Sequence, residues 1–591
     1  METAAILHRP DSEYAYLYQT GDFHVRLRTK KGDVASVGLI SGDPYLFHED
    51  SWYKEEQKME LVASTDFHDY WQIATTAPYR RLQYGFHVVD NDGEAIFYGD
   101  RGAFPYTSET LANPGYFFRM PYFQEIDRFK SPEWVKETIW YQIFPERFAN
   151  GNPAITPKNA LPWGSKEHPD REDFYGGDLQ GVIDHLDYLV DLGINGIYFC
   201  PIFKASSNHK YDTIDYYEID PDFGDKETFK KLVEEAHKRG IRIMLDAVFN
   251  HTGDVSPLWQ DVVKNQEKSK YLDWFHVHSF PVDIGKNGNN EGARTVSYDT
   301  FAFTPHMPKL NTANPEVQAY LLDIATYWIR EFDIDAWRLD VANEVDHHFW
   351  KKFYQATTAI KEDFYILGEI WHSSQSWLQG DEFHAVMNYA YTETIEDFFV
   401  AKRIAPSKMV AGLNEQLMLY RQQTNEVQFN MLDSHDTARL LTICEGNKDL
   451  AKATLAFTFL QHGSPCIYYG TEIGMDGEND PDCRKCMIWE PAEQDLKMLD
   501  FTKKLIQLRK TYQKILSLGS LEWILIEEEK KVIGFKRVGK EGTLICYFNQ
   551  GTENAEIELL THNKVVLSQL TEGTQNQINI EPNGFIVCLE N

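Results

Sequence analysis

At 591 residues the chain is too long for one ordinary domain; it points to three or four, one of them large enough for a full barrel. Hydrophobic residues make up 42% and charged residues 25%, the balance of a chain able to bury large cores. A formal net charge of −32 argues against nucleic acid and anionic membrane surfaces as partners, since both demand basic patches, whereas a neutral substrate would not be repelled.

The first ten residues lack the basic start and apolar run of a signal peptide. No stretch of 18 apolar residues predicts a membrane span. Seven cysteines, an odd number spread from Cys200 to Cys588, fit reduced thiols better than a disulfide framework, so a cytoplasmic location is expected.

Residues 1 to about 125 read as short strands broken by turn signals. The stretch 22–29 alternates, Gly32–Asp33 and Asn91–Asp92–Gly93 punctuate, and Tyr84–Val89 with Ala95–Tyr98 form a predicted hairpin. This predicts an N-terminal β-sandwich, followed by a linker near 121–135. From about 136, apolar strand-like runs alternate with amphipathic helical stretches such as 227–239 and 316–330. Eight strands are predicted: Ile139–Phe144, Gly196–Cys200, Arg242–Asp246, Ala336–Leu339, Tyr365–Gly368, Ala385–Met387, Gln428–Leu432 and Cys466–Tyr469. Together they predict a (β/α)8 TIM barrel over 126–519. The connection from about 252 to 311 is too long for a simple loop and reads as an inserted domain. The tail, 520–591, returns to short strands and predicts a C-terminal β-sandwich.

The active site of such a barrel lies at the C-terminal ends of its strands. Strand three ends in Asp246–Ala–Val–Phe–Asn250–His251, strand four in Arg338–Leu–Asp340, strand five in Gly368–Glu369–Ile–Trp371, and strand seven in Asp433–Ser–His435–Asp436. One such Asp is as often a rim salt bridge as a functional group, but four strand ends delivering carboxylates to one rim make a site. Such a ring can bind a divalent metal or break a glycosidic bond. Retaining glycosidases place two carboxyl groups roughly 5–5.5 Å apart, and neighbouring strands lie about 4.7–4.9 Å apart, so Asp340 and Glu369 can meet at that spacing. Arg338, two residues before Asp340, points to the same side of its strand, and its charge is expected to keep Asp340 ionised. Glu369 must instead carry a proton, which Asp436 and partial desolvation would favour.

Those four segments, with MetProLysLeuAsn at 307–311, resemble the sequence regions of the α-amylase family, glycoside hydrolase family thirteen. The resemblance implies Asp340 as nucleophile, Glu369 as general acid/base and Asp436 as the third carboxylate, which grips sugar hydroxyls. It implies that His251, Arg338 and His435 contact the sugar at the cleavage point, with Asp246 and Asn250 beside them. Tyr211 in AsnHisLysTyrAspThr is similar to the family's stacking tyrosine, and Asp480 and Arg484 to its late substrate-binding pair. The N-terminal module, ValAlaAsnGluValAsp at 341–346 and the 307–311 segment resemble the cyclomaltodextrinase, neopullulanase and maltogenic amylase subgroup. Membership implies cleavage of α-1,4 and some α-1,6 bonds in cyclodextrins, pullulan and maltodextrins, with transglycosylation. It also implies a homodimer, in which the N-terminal module pairs subunits and narrows each site. Asn343, Glu344 and Trp371 are then expected on the acceptor side.

The family's chemistry requires no cofactor, but many members carry calcium near the barrel's start. The corresponding residues are Asn150, Asn152, Gly176 and Asp178, with Ile155 and Thr156 standing where an Asn–Asp pair is usual. That set is short of charged oxygens for a hard cation. Cys483–Arg–Lys–Cys486 has metal-like spacing but lacks a second pair for zinc. Trp52 and Trp71 are expected to be buried in the sandwich or in an interface rather than to bind glucan. Two other readings remain within the resemblance: an α-1,6-glucosidase or transglycosylase, the N-terminal module speaking against the usual α-1,6-glucosidases, and a non-enzymatic transporter subunit, which should lack the carboxylates and carry a membrane span.

Overall fold

The computed structural model describes residues 1–49, 56–120, 122–282, 296–559, 563–573 and 577–590. Eight parallel strands form its centre: β1 (Trp140–Ile143), β2 (Gly196–Phe199), β3 (Arg242–Ala247), β4 (Ala336–Leu339), β5 (Tyr365–Gly368), β6 (Ala385–Val386), β7 (Phe429–Asn430) and β8 (Ser464–Tyr468). Strands β1 to β6 each pair with the next, as do β7 and β8; β1 pairs with β8, a Met387–Phe429 bridge joins β6 to β7 and closes the ring, and 203–205 forms a separate ribbon with 213–219. The strands are buried on both faces, which is why they read as unbroken apolar runs. Inside the ring, Trp140, Tyr198, Met244, Ala336, Tyr365, Leu367 and Phe429 fill the lower layers. Polar side chains take over only above them.

Strand β7 is shorter than the predicted 428–432. The ladder ends at Asn430; beyond it the Asp433 side chain accepts from Leu440 N–H and Ser434 N–H donates to the Thr437 hydroxyl. Helix α1 (Lys226–Lys238) starts where the Asp225 carboxylate caps Thr228 N–H. Between β3 and β4 the insertion carries α2 (Pro257–Asn265), packed through Trp259, Phe275 and Tyr298, and returns as a strip whose Lys309 bridges His251. Helix α3 (Pro315–Phe332) follows, with Asn314 as its cap and a proline in its first turn.

The N-terminal domain is a sandwich of two antiparallel sheets, one ordered 15–19, 22–30, 68–76, 60–64, the other 57–58, 34–42, 82–90, 95–99, 102–105. The predicted hairpin pairs Phe86 with Tyr98 and Val89 with Ala95. Phe23, Val25, Leu27, Leu39, Trp71, Tyr84 and Phe86 fill the space between the sheets. Trp71 is thus a core residue, its indole N–H on Thr29; Trp52 lies outside the described residues. The C-terminal domain is built on the sheet 520–527, 532–539, 542–549, 577–590, 555–558, with 564–573 paired to 577–590. Its Phe535 and Phe548 pack against Phe457 of the barrel. No helix among the described residues is long and apolar enough to cross a membrane.

Candidate active site

The register explains how the site assembles. Asp246 on β3 and Arg338 on β4 are direct partners, and Arg338 is opposite Leu367 on β5. Alternation therefore points Asp246 and Arg338 into the ring together, and Asp340 and Glu369 follow two residues up. Arg338 is fully buried. Its Nη1 lies 3.0 Å from Asp246 and 2.7 Å from Asp340, and its Nη2 2.9 Å from Glu369. One guanidinium therefore holds three carboxylates.

Charge balance follows from that count. Burial, with the neighbouring carboxylates Glu369 and Asp246, drives Asp340 well above the usual carboxylate range, and Arg338 only partly opposes it. Burial likewise raises Asp246 to about 6. Arg338 favours the ionised form of Asp340, as the sequence suggested, but its single charge is shared among three carboxylates. Three carboxylates around one guanidinium leave the cluster with surplus negative charge, which favours protonation within it.

Glu369 is oriented from three sides. Besides Arg338, the Trp371 indole N–H donates to Oε1 at 3.1 Å and the Val341 peptide N–H to Oε2 at 2.9 Å. Val341 has φ of 46°, a left-handed conformation that a β-branched residue adopts at a cost of about 1–3 kcal/mol. The strain lies immediately after Asp340 and aims a peptide N–H at the second carboxylate. Trp371 is 49% exposed and stacks on Tyr389 at 3.7 Å, a flat aromatic surface beside Glu369.

Opposite, Tyr211 donates to Asp246 and meets His435 Nε2 at 2.6 Å, its ring parallel to the imidazole. His435 Nδ1 faces the Gln142 amide nitrogen at 2.7 Å, so Nδ1 accepts and Nε2 carries the proton. Burial holds His435 far below the ordinary histidine range and lowers His251 to about 3, so both rings are neutral at pH 7. Asp436 pairs with Arg484 at 3.3 Å and His435 at 3.2 Å, and Arg484 pairs with Asp480 at 2.9 Å. Asn250 and His251 form the floor beside the insertion, with His251 stacked on Phe301. Asn343 and Glu344 are exposed on the short turn after Asp340, and Glu344 pairs with Lys309 at 3.0 Å. All the catalytic and substrate-binding candidates thus lie at the strand ends or on the loops just above them.

Three further residues are built into this site without having been singled out: Gln142 on β1, Tyr198 on β2, whose hydroxyl donates to Asp246, and Lys309. The first two sit inside apolar strand runs and read there as core; a polar side chain at an inward position near a strand's end was the available signal.

The predicted cation residues lie apart, at the loop before the helix 179–184. Both Asp178 oxygens accept peptide N–H groups, from Gly151, Asn152 and Gly181, and the Asn150 amide donates to Thr156. The Asp178 carboxylate is a helix cap with its lone pairs engaged, and Asn150, Asn152 and the Gly176 backbone offer no second anion. This donor set does not fit a hard cation, which wants six to eight oxygens. Among the described residues no group of three or more His, Cys, Asp or Glu is arranged to hold a metal. Cys483 and Cys486 are buried and free, and burial raises both thiols to about 12, the reverse of a reactive pair.

The profile of the α-amylase catalytic domain matches residues 142–519, and that of the α-amylase N-terminal ig-like domain matches residues 1–124. The chain belongs to the α-amylase family. Within the α-amylase family it is 55% identical, over 99% of both chains, to the intracellular maltogenic amylase of Bacillus subtilis (strain 168). It is 49% identical, again over 99% of both, to the cyclomaltodextrinase of Geobacillus thermopakistaniensis (strain MAS1). Its fold matches a solved cyclomaltodextrinase with a TM-score of 0.92 and 43% identity over the whole of both chains. This α-amylase-family chain is a glycoside hydrolase.

Proposed function

We propose that the chain is a retaining α-glucan hydrolase with Asp340 as nucleophile and Glu369 as general acid/base. It cleaves α-1,4 and some α-1,6 bonds of cyclodextrins, maltodextrins and pullulan, and transfers glucosyl units to sugar acceptors. The observation that carries this reading is the Arg338 guanidinium in contact with Asp246, Asp340 and Glu369 together, which fixes two carboxyl groups of neighbouring strands on one small volume. In this reading Asp340 enters the reaction as the carboxylate and Glu369 as the acid whose proton the leaving oxygen takes.

In the first step an Asp340 oxygen bonds to the anomeric carbon, the bond from that carbon to the bridging oxygen breaks, and the Glu369 proton passes to that oxygen. In the second step Glu369, now a carboxylate, takes a proton from water or from a sugar hydroxyl. The freed oxygen bonds to the anomeric carbon and Asp340 leaves. Two inversions give net retention. Asp436, with the neutral His251 and His435, holds ring hydroxyls, and Trp371 with Tyr389 offers a stacking face to the acceptor sugar.

Two parts of the reading concern surroundings rather than chemistry. The chain acts in the cytoplasm without a required cofactor, and calcium is unnecessary at the 150–178 loop. It works as a homodimer through the N-terminal domain, which presents an exposed aromatic group: Tyr45 is 80% and Tyr79 57% exposed, with Arg81 lying over both rings. The names of the relatives, a maltogenic amylase and cyclomaltodextrinases, support the substrate class.

The test is initial rates on β-cyclodextrin, pullulan and soluble starch, with products separated and the anomer first released read by NMR. Cyclodextrin well ahead of starch, with maltose and glucose released as α-anomers, is the expected result. Release of β-anomers would overturn the retaining mechanism, and starch equal to or ahead of cyclodextrin would overturn the narrowed site.

A further inference from the structure

Lys309 lies in the 307–311 segment, on the strip where the insertion returns to the barrel, and its side chain touches two other loops at once. Its ammonium donates to the Asn250 side-chain oxygen, to the Glu344 carbonyl at 3.2 Å and to the Glu344 carboxylate at 3.0 Å. Asn250 lies on the loop just past the end of β3, beside the cleavage point, and Glu344 sits on the turn that follows Asp340 and Val341 on the acceptor side.

The chemistry of the ammonium fixes more than position. A lysine ammonium only donates, so the oxygen of the Asn250 amide must face it. The amide nitrogen then faces His251 Nδ1, 3.2 Å away, and donates to it. With Nδ1 accepting, His251 carries its proton on Nε2, which lies 3.2 Å from the Tyr211 carbonyl. One charge at Lys309 therefore sets the amide orientation of Asn250, the tautomer of His251 and the placement of Glu344.

The backbone does not need that side chain. Thr252 N–H donates to the Pro308 carbonyl, Leu310 N–H to the Asn250 carbonyl and Lys309 N–H to the Asp299 carbonyl, so the strip is already held against the end of β3. A half-buried lysine on a strip that is fixed without it is available for a role other than folding.

We propose that Lys309 is a positioning residue that couples the two sides of the cleavage point, holding Glu344 on the acceptor side against Asn250 and His251 on the donor side, and so determines which bond of a linear maltodextrin is cut. This rests on the assignment of the cleft to α-glucan hydrolysis. It extends that assignment by naming a specificity determinant that does not touch the reacting atoms.

The experiment uses full-length protein and maltotetraose labelled at its reducing end. The ratio of labelled glucose to labelled maltose reports relative binding along the cleft and does not depend on how much of the enzyme is active. Lys309→Met keeps the chain length and removes the donors; Lys309→Arg keeps donors for both partners. Lys309→Met is expected to change the ratio at least about threefold, the scale of one lost charged hydrogen bond partly made good by water, and to raise KM more than it lowers kcat. Lys309→Arg is expected to stay within about twofold of the parent ratio. An unchanged ratio in Lys309→Met, whether rates fall or not, overturns the proposal. Should Lys309→Met not fold, Glu344→Gln weakens the same link from the other end and must move the ratio in the same direction; an unmoved ratio there overturns the proposal equally. Failure of the underlying assignment is distinguishable, because the parent enzyme would then leave maltotetraose uncut.

Discussion

Arg338 shows how little of a catalytic centre needs to be catalytic. It sits at full burial, makes no contact that a solvent-exposed arginine would need, and spends its charge on three carboxylates. Removing one of the three leaves the other two to neutralise it, so Asp340→Asn and Glu369→Gln are expected to fold as the parent does. Each should lower kcat/KM on β-cyclodextrin by at least about 10³-fold, the scale of losing a nucleophile or a general acid, with an unchanged melting temperature. Turnover within tenfold of the parent in either variant would remove that residue from the mechanism. Asp246, Asp340 and Glu369 were legible in the sequence because each closes a short apolar run, where a charged side chain stands out. Gln142 and Tyr198 were not, since a neutral polar residue within an apolar strand looks like a satisfied core position. Lys309 was hidden for another reason: its partners lie 59 and 35 residues away, on loops whose meeting only the barrel arranges. The divided charge of Arg338 was equally invisible, because sequence spacing reveals a neighbour two positions away but not how many others compete for it.

At the scale of elements, helices and strands were read closely and loop chemistry less so. Helix α1 begins one residue before its predicted start and α3 runs from 315 to 332 against a predicted 316–330, because Asp225 and Asn314 mark both starts. The loop ahead of the helix 179–184 is where reading by resemblance and reading by geometry part. Resemblance places a cation among Asn150, Asn152, Gly176 and Asp178. Geometry gives the Asp178 oxygens to three peptide N–H groups and turns the Asn150 amide to Thr156, which replaces the acidic partner with a neutral one. Dialysis against a chelator is therefore expected to shift the melting temperature by no more than about 1 °C, whereas Asp178→Ala, which strips a buried cap, should cost about 1–2 kcal/mol. A fall of several degrees on chelation, reversed by added calcium, would mean that the loop opens to receive a cation and that the capped arrangement is only its resting form.

At the scale of the whole molecule, the N-terminal sandwich is not a loosely tethered module. Arg26, buried within it, donates to the Met418 carbonyl at the end of a barrel helix; Gln423 reaches back to the Leu17 and Tyr18 carbonyls, and the Tyr16 hydroxyl accepts from Gln422 N–H. Cutting the domain away would leave these groups unpaired and uncover the barrel surface beneath, so a truncated chain would confound loss of pairing with loss of folding. Point substitutions at the exposed aromatic group avoid this. Tyr45 and Tyr79 project largely exposed from the side of the sandwich, with Arg81 above both rings. If that face joins two subunits, the intact chain should sediment at twice its 68.6 kDa mass, and Tyr45→Ser with Tyr79→Ser should shift it toward the single-chain mass without lowering the melting temperature of the barrel. Pairing and selectivity are then linked. The same double variant should lose its preference for cyclodextrin over starch as it loses its partner, because a cleft no longer narrowed from outside admits a long chain as readily as a ring. A double variant that stays paired would move the interface to another face. One that becomes a single chain yet still prefers cyclodextrin would place the selectivity within the subunit, in the Trp371 and Glu344 walls of its own cleft.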